Sequence, residues 1–561
     1  MTLWKQNGSE RKFLRHLKPQ IPKITLLILL SVLSTSVSLV TPMLMRSFID
    51  EVLINGDTSL FMPLIQVFFL IYLISSASTF VSGYLSGLIN LTLFRNIGEY
   101  VFSSIQQSQL KETQKLRTGD LINRIMGNVH SSVQIFTNIL PQAILGVISI
   151  FVPMYIMLTL DVRLTLITMS PVILILFSSI LFGNRVKDKQ KEFLEDIAST
   201  HSFLKEALSI IPLIKVSGLS DWIERKFSSR LDSYSNTSLE VTKLSSLSSS
   251  VLSLLHSLPL LLTFVFGGAM VIGQTMTLGT LMAFMGYVSI FLSPIGRLSS
   301  LWTTYKSSSA SLDRVEEILA LEKDTEGREP LVISGGKIVF KDVWFSYDDR
   351  PILCGFNASF QKGLNYLIGD NGSGKSTILK LLCGLYPLES GFIMVDGQDL
   401  SRVRAEELRD NISIVLPEPY LFDGSIYENI SVGKLSASYE EIISAAKTAQ
   451  IHEFIMRLQN GYETNIGEGG LKLSSGEKQK IVLARTILKN APIVLLDEVT
   501  RSIDIESKRS INEVILGLTN KTVIIITHDD TASVTGSNRV YINMPKDTVS
   551  ITFIEDQAVK A

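Results

Sequence analysis

Residues 369–377 read Gly369-Asp370-Asn371-Gly372-Ser373-Gly374-Lys375-Ser376-Thr377. A glycine, four residues and then Gly-Lys-Ser is the spacing of a phosphate-binding loop. The flanking sequence suits that reading. Leu364–Ile368 is an apolar run of strand length, and Ser376–Leu385 has a helical pattern. A glycine-rich turn between strand and helix lets successive backbone N–H groups face a phosphate chain, with the positive helix end behind them. In such a loop Lys375 reaches the β- and γ-phosphates, and the Ser376 hydroxyl binds Mg²⁺. A flexible Gly/Ser connector is the competing reading, but it does not account for a strand before and a helix after. The segment therefore predicts a site for a nucleoside triphosphate with Mg²⁺.

The chain of 561 residues that carries this loop divides into two unlike parts. Mean hydropathy is +0.30 and the pI is near 6.6. Apolar runs dominate residues 1–320, whereas residues 325–561 have the mixed composition of a soluble domain. A net charge of −1 provides no field for nucleic acid, and the two cysteines, Cys354 and Cys383, imply no disulfide framework. Six runs are long and apolar enough to span a bilayer of about 30 Å. They lie near Ile24–Met45, Leu60–Leu88, Ile139–Leu160, Leu164–Phe182, Leu247–Ile272 and Thr280–Leu301. Lys and Arg cluster before the first span, between the second and third, and between the fourth and fifth. The other connections hold only Arg46 and Arg163. That bias predicts both termini and the ATP site in the cytoplasm. Cytoplasmic connections such as Arg95–Ser132 and Arg185–Lys243 are long and helical in pattern, which predicts helices running well beyond the membrane.

Within the spans the unusual feature is hydroxyl content. Ser34 and Ser38 in the first span, Ser82 in the second, and a serine series followed by His256 in the fifth are candidates for lining a polar, uncharged cargo cavity. Close helix–helix packing through small residues is the alternative. A histidine inside a span is a site candidate by default. The spans contain no rows of charged residues, which disfavours an ion channel or a highly charged cargo.

The second half carries further motifs. Leu473-Ser474-Ser475-Gly476-Glu477 contains a serine and a glutamate three apart, a capping box that opens a helix through Arg485. Ile493–Leu496 is a buried strand ending in Asp497-Glu498. With the phosphate loop, these segments resemble an ATP-binding cassette (ABC) transporter, and the likeness covers essentially the whole chain. It resembles the exporter-type half-transporter, similar to bacterial peptide and multidrug exporters. Thr118-Gly119-Asp120-Leu121 with Arg124, Gly279-Thr280-Leu281, Pro294 and Arg314 are similar to exporter positions in the first cytoplasmic loop, last span and linker.

The fold so implied is a membrane protein with an N-terminal six-helix transmembrane domain and a C-terminal α/β P-loop NTPase domain. The expected boundaries are 1–321 for the transmembrane domain, 322–337 for a linker and 338–561 for the ATP-binding cassette. The resemblance further implies that Tyr347 stacks on adenine, that Asp497 holds Mg²⁺, and that Glu498 polarises the attacking water. His528 would contact the γ-phosphate. Ser474, Ser475, Gly476 and Glu477 would act on ATP held by a second subunit, with Ser502 and Asp504 crossing the interface. A homodimer is expected, with a heterodimer as the alternative.

Two departures from the family pattern concern the site. The family's signature usually reads Leu-Ser-Gly-Gly-Gln; Ser475 and Glu477 replace its third and fifth residues. Glu477 should face its own backbone, since turned inward, towards the nucleotide, it would repel phosphate. Pro417 stands where relatives carry glutamine, so the metal would take a water there or borrow Glu418. The implied activity is ATP-driven export of a peptide, of the antimicrobial or natural-product type, or of an amphipathic compound, out of the cytoplasm across the cytoplasmic (inner) membrane of a bacterium. Lipid or lipid-oligosaccharide flipping and multidrug efflux are alternatives within the class. A membrane-anchored sensor ATPase is the alternative outside it.

Overall fold

The computed structural model describes residues 15–324, 327–348, 350–370, 372–470, 472–501, 503–527 and 537–542. The chain forms two compact units, one of residues 1–105 and 117–320, the other of residues 106–116 and 321–561.

Six helices of the first unit are long and apolar enough to cross a membrane. They are α1 (Arg15–Ile54), α2 (Thr58–Gln106), α3 (Thr118–Leu160), α4 (Val162–Ser209), α5 (Ser220–Ile272) and α6 (Leu278–Leu319). The spans and the helical connections expected from the sequence are therefore continuous. At 48 residues α4 is about 70 Å long, more than twice a bilayer's apolar thickness. Between α4 and α5 lies only the short helix Ile211–Val216 with its flanking turns, so the two long helices form a hairpin. Polar ties hold that hairpin: Lys189 pairs with Glu240 at 2.6 Å, and Asp196 accepts from Thr237 at 2.9 Å and Ser233 at 3.1 Å.

The core of this unit forms around α6, where Ala283, Phe284, Tyr287, Val288 and Phe291 pack with Met157, Leu164 and Ile175. Tyr287 donates to the Leu39 carbonyl at 3.0 Å, satisfying the one polar atom of a side chain otherwise buried in apolar surroundings. At the start of α6, Asp50 accepts from the Gly279 amide at 2.8 Å and the Thr277 hydroxyl at 2.6 Å. A carboxylate there complements the positive helix end. At the other end of the unit Arg124 is buried and bonds Asp120 at 2.8 Å, Glu317 at 2.6 Å and the Arg314 carbonyl at 3.0 Å. The most apolar stretch of α2, by contrast, has no buried residue.

The second unit has two sheets. β1 (Ile338–Tyr347), β2 (Arg350–Phe360), β4 (Ser390–Val395) and β5 (Gln398–Asp399) form an antiparallel sheet in the order β2-β1-β4-β5. β3 (Gly363–Gly369), β6 (Ile412–Val415), β7 (Ile493–Asp497), β8 (Thr522–Thr527) and β9 (Asn538–Ile542) form a parallel sheet in the order β6-β7-β8-β3-β9. All five residues of β7 are buried, as expected of a parallel strand covered on both faces. Helices α7 (Lys375–Leu382), α8 (Ser475–Lys489) and α9 (Ile505–Leu516) complete the parts that carry the site.

Two segments of this unit lie outside the boundaries expected from the sequence. The stretch expected as a linker is folded: Asp396 accepts from the amides of Ser334, Gly335, Gly336 and Lys337 at 2.8–2.9 Å. Burial alone would raise the Asp396 carboxyl, but the four donors outweigh it and hold it below the usual range. Residues 106–116, between α2 and α3, also belong to this unit. The Gln109 amide donates to the Glu322 carbonyl at 2.9 Å, Tyr386 donates to Gln114 at 2.6 Å, and Leu110 packs against the buried core.

Candidate nucleotide site and membrane cavity

Parallel pairing gathers the site at one edge of the sheet. Ile368 is in register with Thr527, and Asp497 with Ile526, so the carboxyl ends of β3, β7 and β8 lie side by side. Ligand sites in open α/β sheets form at that edge. Gly369–Thr377 leaves β3 there and enters α7 at Lys375.

The loop's shape depends on its glycines. Gly374 caps α7 at φ +91°, and a Cβ there would also meet Ile352 Cγ2 at 3.0 Å. A Cβ on Gly369 would meet the Ile542 carbonyl oxygen at 2.5 Å. The Lys375 ammonium donates to the Gly369 and Asp370 carbonyls at 2.6 and 2.7 Å. Burial pulls its pKa down, while the neighbouring charges of Glu498, Asp497 and Asp370 act in the opposite direction. A buried ammonium facing backbone oxygens and three carboxylates is placed to exchange those carbonyls for phosphate oxygens. Ser373 is almost wholly buried, and its Oγ has no hydrogen-bond partner among the described residues.

Asp497 ends β7 and is 4% exposed. Burial raises its carboxyl above the usual range, against the lowering effect of a hydrogen bond from Ser376. Two hard oxygen donors, the Ser376 hydroxyl and the Asp497 carboxylate, are thus already in contact, which fits a magnesium site. Glu498 follows at φ +45°, a left-handed backbone that a non-glycine residue adopts at a cost of about 1–3 kcal/mol. Its amide donates to the Ile526 carbonyl at 3.3 Å, and its carboxylate pairs with Arg501 at 2.6 Å. Tyr347 ends β1, edge-on to Phe345 and Tyr386 at centroid distances of 4.9 and 5.3 Å. The Lys380 ammonium lies 5.9 Å from its ring centre.

The capping box at α8 is present on both sides. Glu477 accepts from the Ser474 amide at 2.7 Å, and Ser474 Oγ accepts from the Glu477 amide at 3.4 Å. Glu477 therefore turns back on its own backbone. Helix α8 continues four residues beyond the expected Arg485, to Lys489. Ser474 and Ser475 are exposed, whereas Gly476 is buried against α9: a Cβ on it would meet Ser507 Oγ at 2.4 Å. Asp504, the cap of α9, accepts from the Ser507 amide at 2.8 Å. Gly476→Ala should consequently destabilise this unit by about 1–3 kcal/mol, the range for overpacking. Adding Ser507→Gly should recover part of the loss; a melting series of both variants checks this. Asn371, Ser502 and His528 lie outside the described residues.

Two site-supporting residues escaped the sequence reading. Gln479, 2% exposed, donates to the Leu416 and Val499 carbonyls at 3.4 and 3.2 Å, tying α8 to the segments after β6 and β7. Arg485 donates to the Asn429 and Tyr420 carbonyls at 2.9 and 3.0 Å. Their signal was a polar residue on the buried face of α8, with Gly476, Val482, Leu483 and Thr486. Glu418 is exposed.

In the membrane unit a cavity of about 440 Å³ is walled by α1, α3 and α6 and includes Ser34 and Ser38. Ser34 also lies 3.3 Å from Ser75 and 3.4 Å from Thr79 across α1 and α2, so it serves packing as well. Ser82 and His256 do not line this cavity. The Ser82 hydroxyl is bound to the Ser78 carbonyl of its own helix, and His256 lies beside Gly296. Gln142, Ser149, Ser293 and Arg297 line it without having been expected.

Comparison with known proteins fits this geometry. The ABC transporter transmembrane region family matches residues 24–295, and the ABC transporter family matches residues 355–501. A Bacillus subtilis protein named as a candidate multidrug export ATP-binding/permease protein, YgaD, is 31% identical over 93% of this chain and 92% of its own length. A Staphylococcus aureus protein with the same description is 28% identical over 92% of each chain. The solved structure of a bacterial Atm1-family ABC exporter with ATP bound superposes with a TM-score of 0.78 at 24% identity, covering 94% of each chain.

Proposed function

From the premise that this chain belongs to the ABC transporter family, as an ATP-hydrolysing exporter half-transporter with six apolar helices, we propose that it moves amphipathic compounds, peptides included, out of the cytoplasm. The observation that carries this reading is the edge where β3, β7 and β8 bring Lys375, Asp497 and Glu498 together, in one chain with the membrane helices. The multidrug-type relatives support a broad cargo range over a single dedicated one.

In this reading Lys375 and the loop amides hold the β- and γ-phosphates of ATP, and Tyr347 contacts the base. Glu498, held in a strained backbone and ion-paired to Arg501, orients the water and takes its proton. A magnesium ion held by Ser376 and Asp497 would neutralise charge on the transferred phosphate. His528 assists at the γ-phosphate. The exposed start of α8, with Ser474 and Ser475, provides helix-end donors to ATP bound by a second copy, and the loop of Ser502 and Asp504 crosses the interface to that copy. The uncovered apolar surface of α2 suits lipid or that second copy. Residues 106–116, folded into the ATP-binding unit yet continuous with α2, supply a covalent route by which nucleotide-driven motion reaches the spans. The Lys/Arg bias places the ATP-binding unit in the cytoplasm. Inside-out vesicles should accumulate a fluorescent amphipathic dye with ATP but not with a non-hydrolysable analogue. Hydrolysis without accumulation across a panel of dyes and peptides would refute export.

A further inference from the structure

We infer that the cavity between α1, α3 and α6 recognises an amphipathic anion, an apolar chain ending in a phosphate or carboxylate, with Arg297 as the group that binds its charge. This deepens the export reading and rests on it for the role of the cavity. The walls combine hydroxyl and amide groups, from Ser34, Ser38, Gln142 and Ser293, with apolar surface from Leu145 and Ile290. Arg297 is the only ionisable residue lining the cavity among the described residues, and no Asp or Glu shares the wall. Its guanidinium is exposed and makes no ion pair among the described residues, unlike Arg124, which bonds two carboxylates in the same unit. His256 of α5 lies beside Gly296, the residue before Arg297, and supplies no negative charge to compensate it.

Depth decides what such a cation can meet. Arg297 is nineteen residues beyond the start of α6 at Leu278, a distance of about 28 Å along the axis, close to one apolar bilayer thickness. The fork of donors therefore sits towards the cytoplasmic side of the cavity, one turn before Leu301, with Ser289, Ile290 and Ser293 deeper along α6. An uncompensated arginine at a span is a costly feature that marks a ligand pathway. The guanidinium matches phosphate or carboxylate in a two-pronged fashion, which an ammonium does not. An amphipath entering from the inner leaflet would place its head on Arg297 and its chain along the apolar wall. Two sources present this chemistry: a free amphipath, and an anionic phospholipid headgroup.

The test uses the full chain in phosphatidylcholine nanodiscs, with equilibrium dialysis of dodecyl phosphate, dodecanol and dodecyltrimethylammonium against protein-bearing and empty discs. Dodecyl phosphate should bind about tenfold or more tighter than dodecanol after subtraction of the empty-disc signal. Arg297→Gln should abolish that ratio, and Arg297→Lys should retain part of it. In discs containing phosphatidylglycerol, loss of dodecyl phosphate binding supports the site and assigns it to lipid headgroups; unchanged binding supports it and assigns it to free amphipaths. Equal binding of anion and alcohol, stronger binding of the cation, or a ratio that survives Arg297→Gln would overturn the inference. The wild-type comparison decides even where Arg297→Gln does not fold. Anion binding in a protein whose vesicles never accumulate cargo would defeat the export reading and leave this one standing.

Discussion

Replacing Glu498 with glutamine is expected to lower ATP turnover by about 10²–10⁴-fold, the range for removing a general base, while leaving ATP binding intact. The substitution keeps the side chain's size and is compatible with the left-handed turn, but removes the charge that pairs with Arg501 and that, in the proposed mechanism, polarises water. The measurement is steady-state phosphate release beside equilibrium binding of a fluorescent ATP analogue. Glu498 is anchored by its amide bond to the Ile526 carbonyl and sits one residue after buried Asp497, so the glutamine should be held in the same place. An unchanged turnover number would assign the base elsewhere.

Lys375→Ala should act at an earlier step. Its ammonium is buried and surrounded by two carbonyls and the charges of three carboxylates, so truncation leaves those acids facing incoming phosphate without a compensating charge. Loss of an electrostatic clamp of this kind costs about 10²–10³-fold in turnover. Here the cost should also be seen as weaker ATP binding, which separates it from the Glu498 variant. Binding of normal affinity with lost turnover would mean that Lys375 acts only on the transition state.

These predictions rest on residues that the sequence made legible unevenly, for physical reasons. Gly369–Thr377, the Ser474–Glu477 cap and the Ile493–Glu498 strand end could be read because each is a local device of strand, turn and helix a few residues long. The six apolar helices could be read from composition, though not their lengths, because helix continues into polar sequence that hydropathy does not follow. Long-range pairings were illegible. Nothing local in 106–116 indicates that Gln109 and Gln114 bond to Glu322 and Tyr386, more than two hundred residues away. The linker looked like a connector because its partner, Asp396, lies about sixty residues further on. Gln479 was hidden as one polar residue in a helical pattern. Arg297 was overlooked because a single charge hardly alters the hydropathy of the last span, and the serines that drew attention to a cavity include Ser82, whose hydroxyl bonds the Ser78 carbonyl of its own helix. The left-handed turn at Glu498 has no signature in its residue type, since glutamate favours that backbone no more than its neighbours do.

In the proposed mechanism each ATP site is shared, with Lys375 and Glu498 from one copy and the α8 start from another. Ser475→Asp offers a clean lesion on the α8 side: a carboxylate in the first turn suits the helix dipole but repels phosphate. Two tagged, purified pairings decide the matter by ATPase rate. A Lys375→Ala copy with a Ser475→Asp copy retains one complete shared site and should hydrolyse ATP. A wild-type copy with the Lys375→Ala, Ser475→Asp double variant retains none and should be inactive. The reverse pattern, activity in the second pairing and none in the first, would show that each subunit completes its own site and would contradict the account.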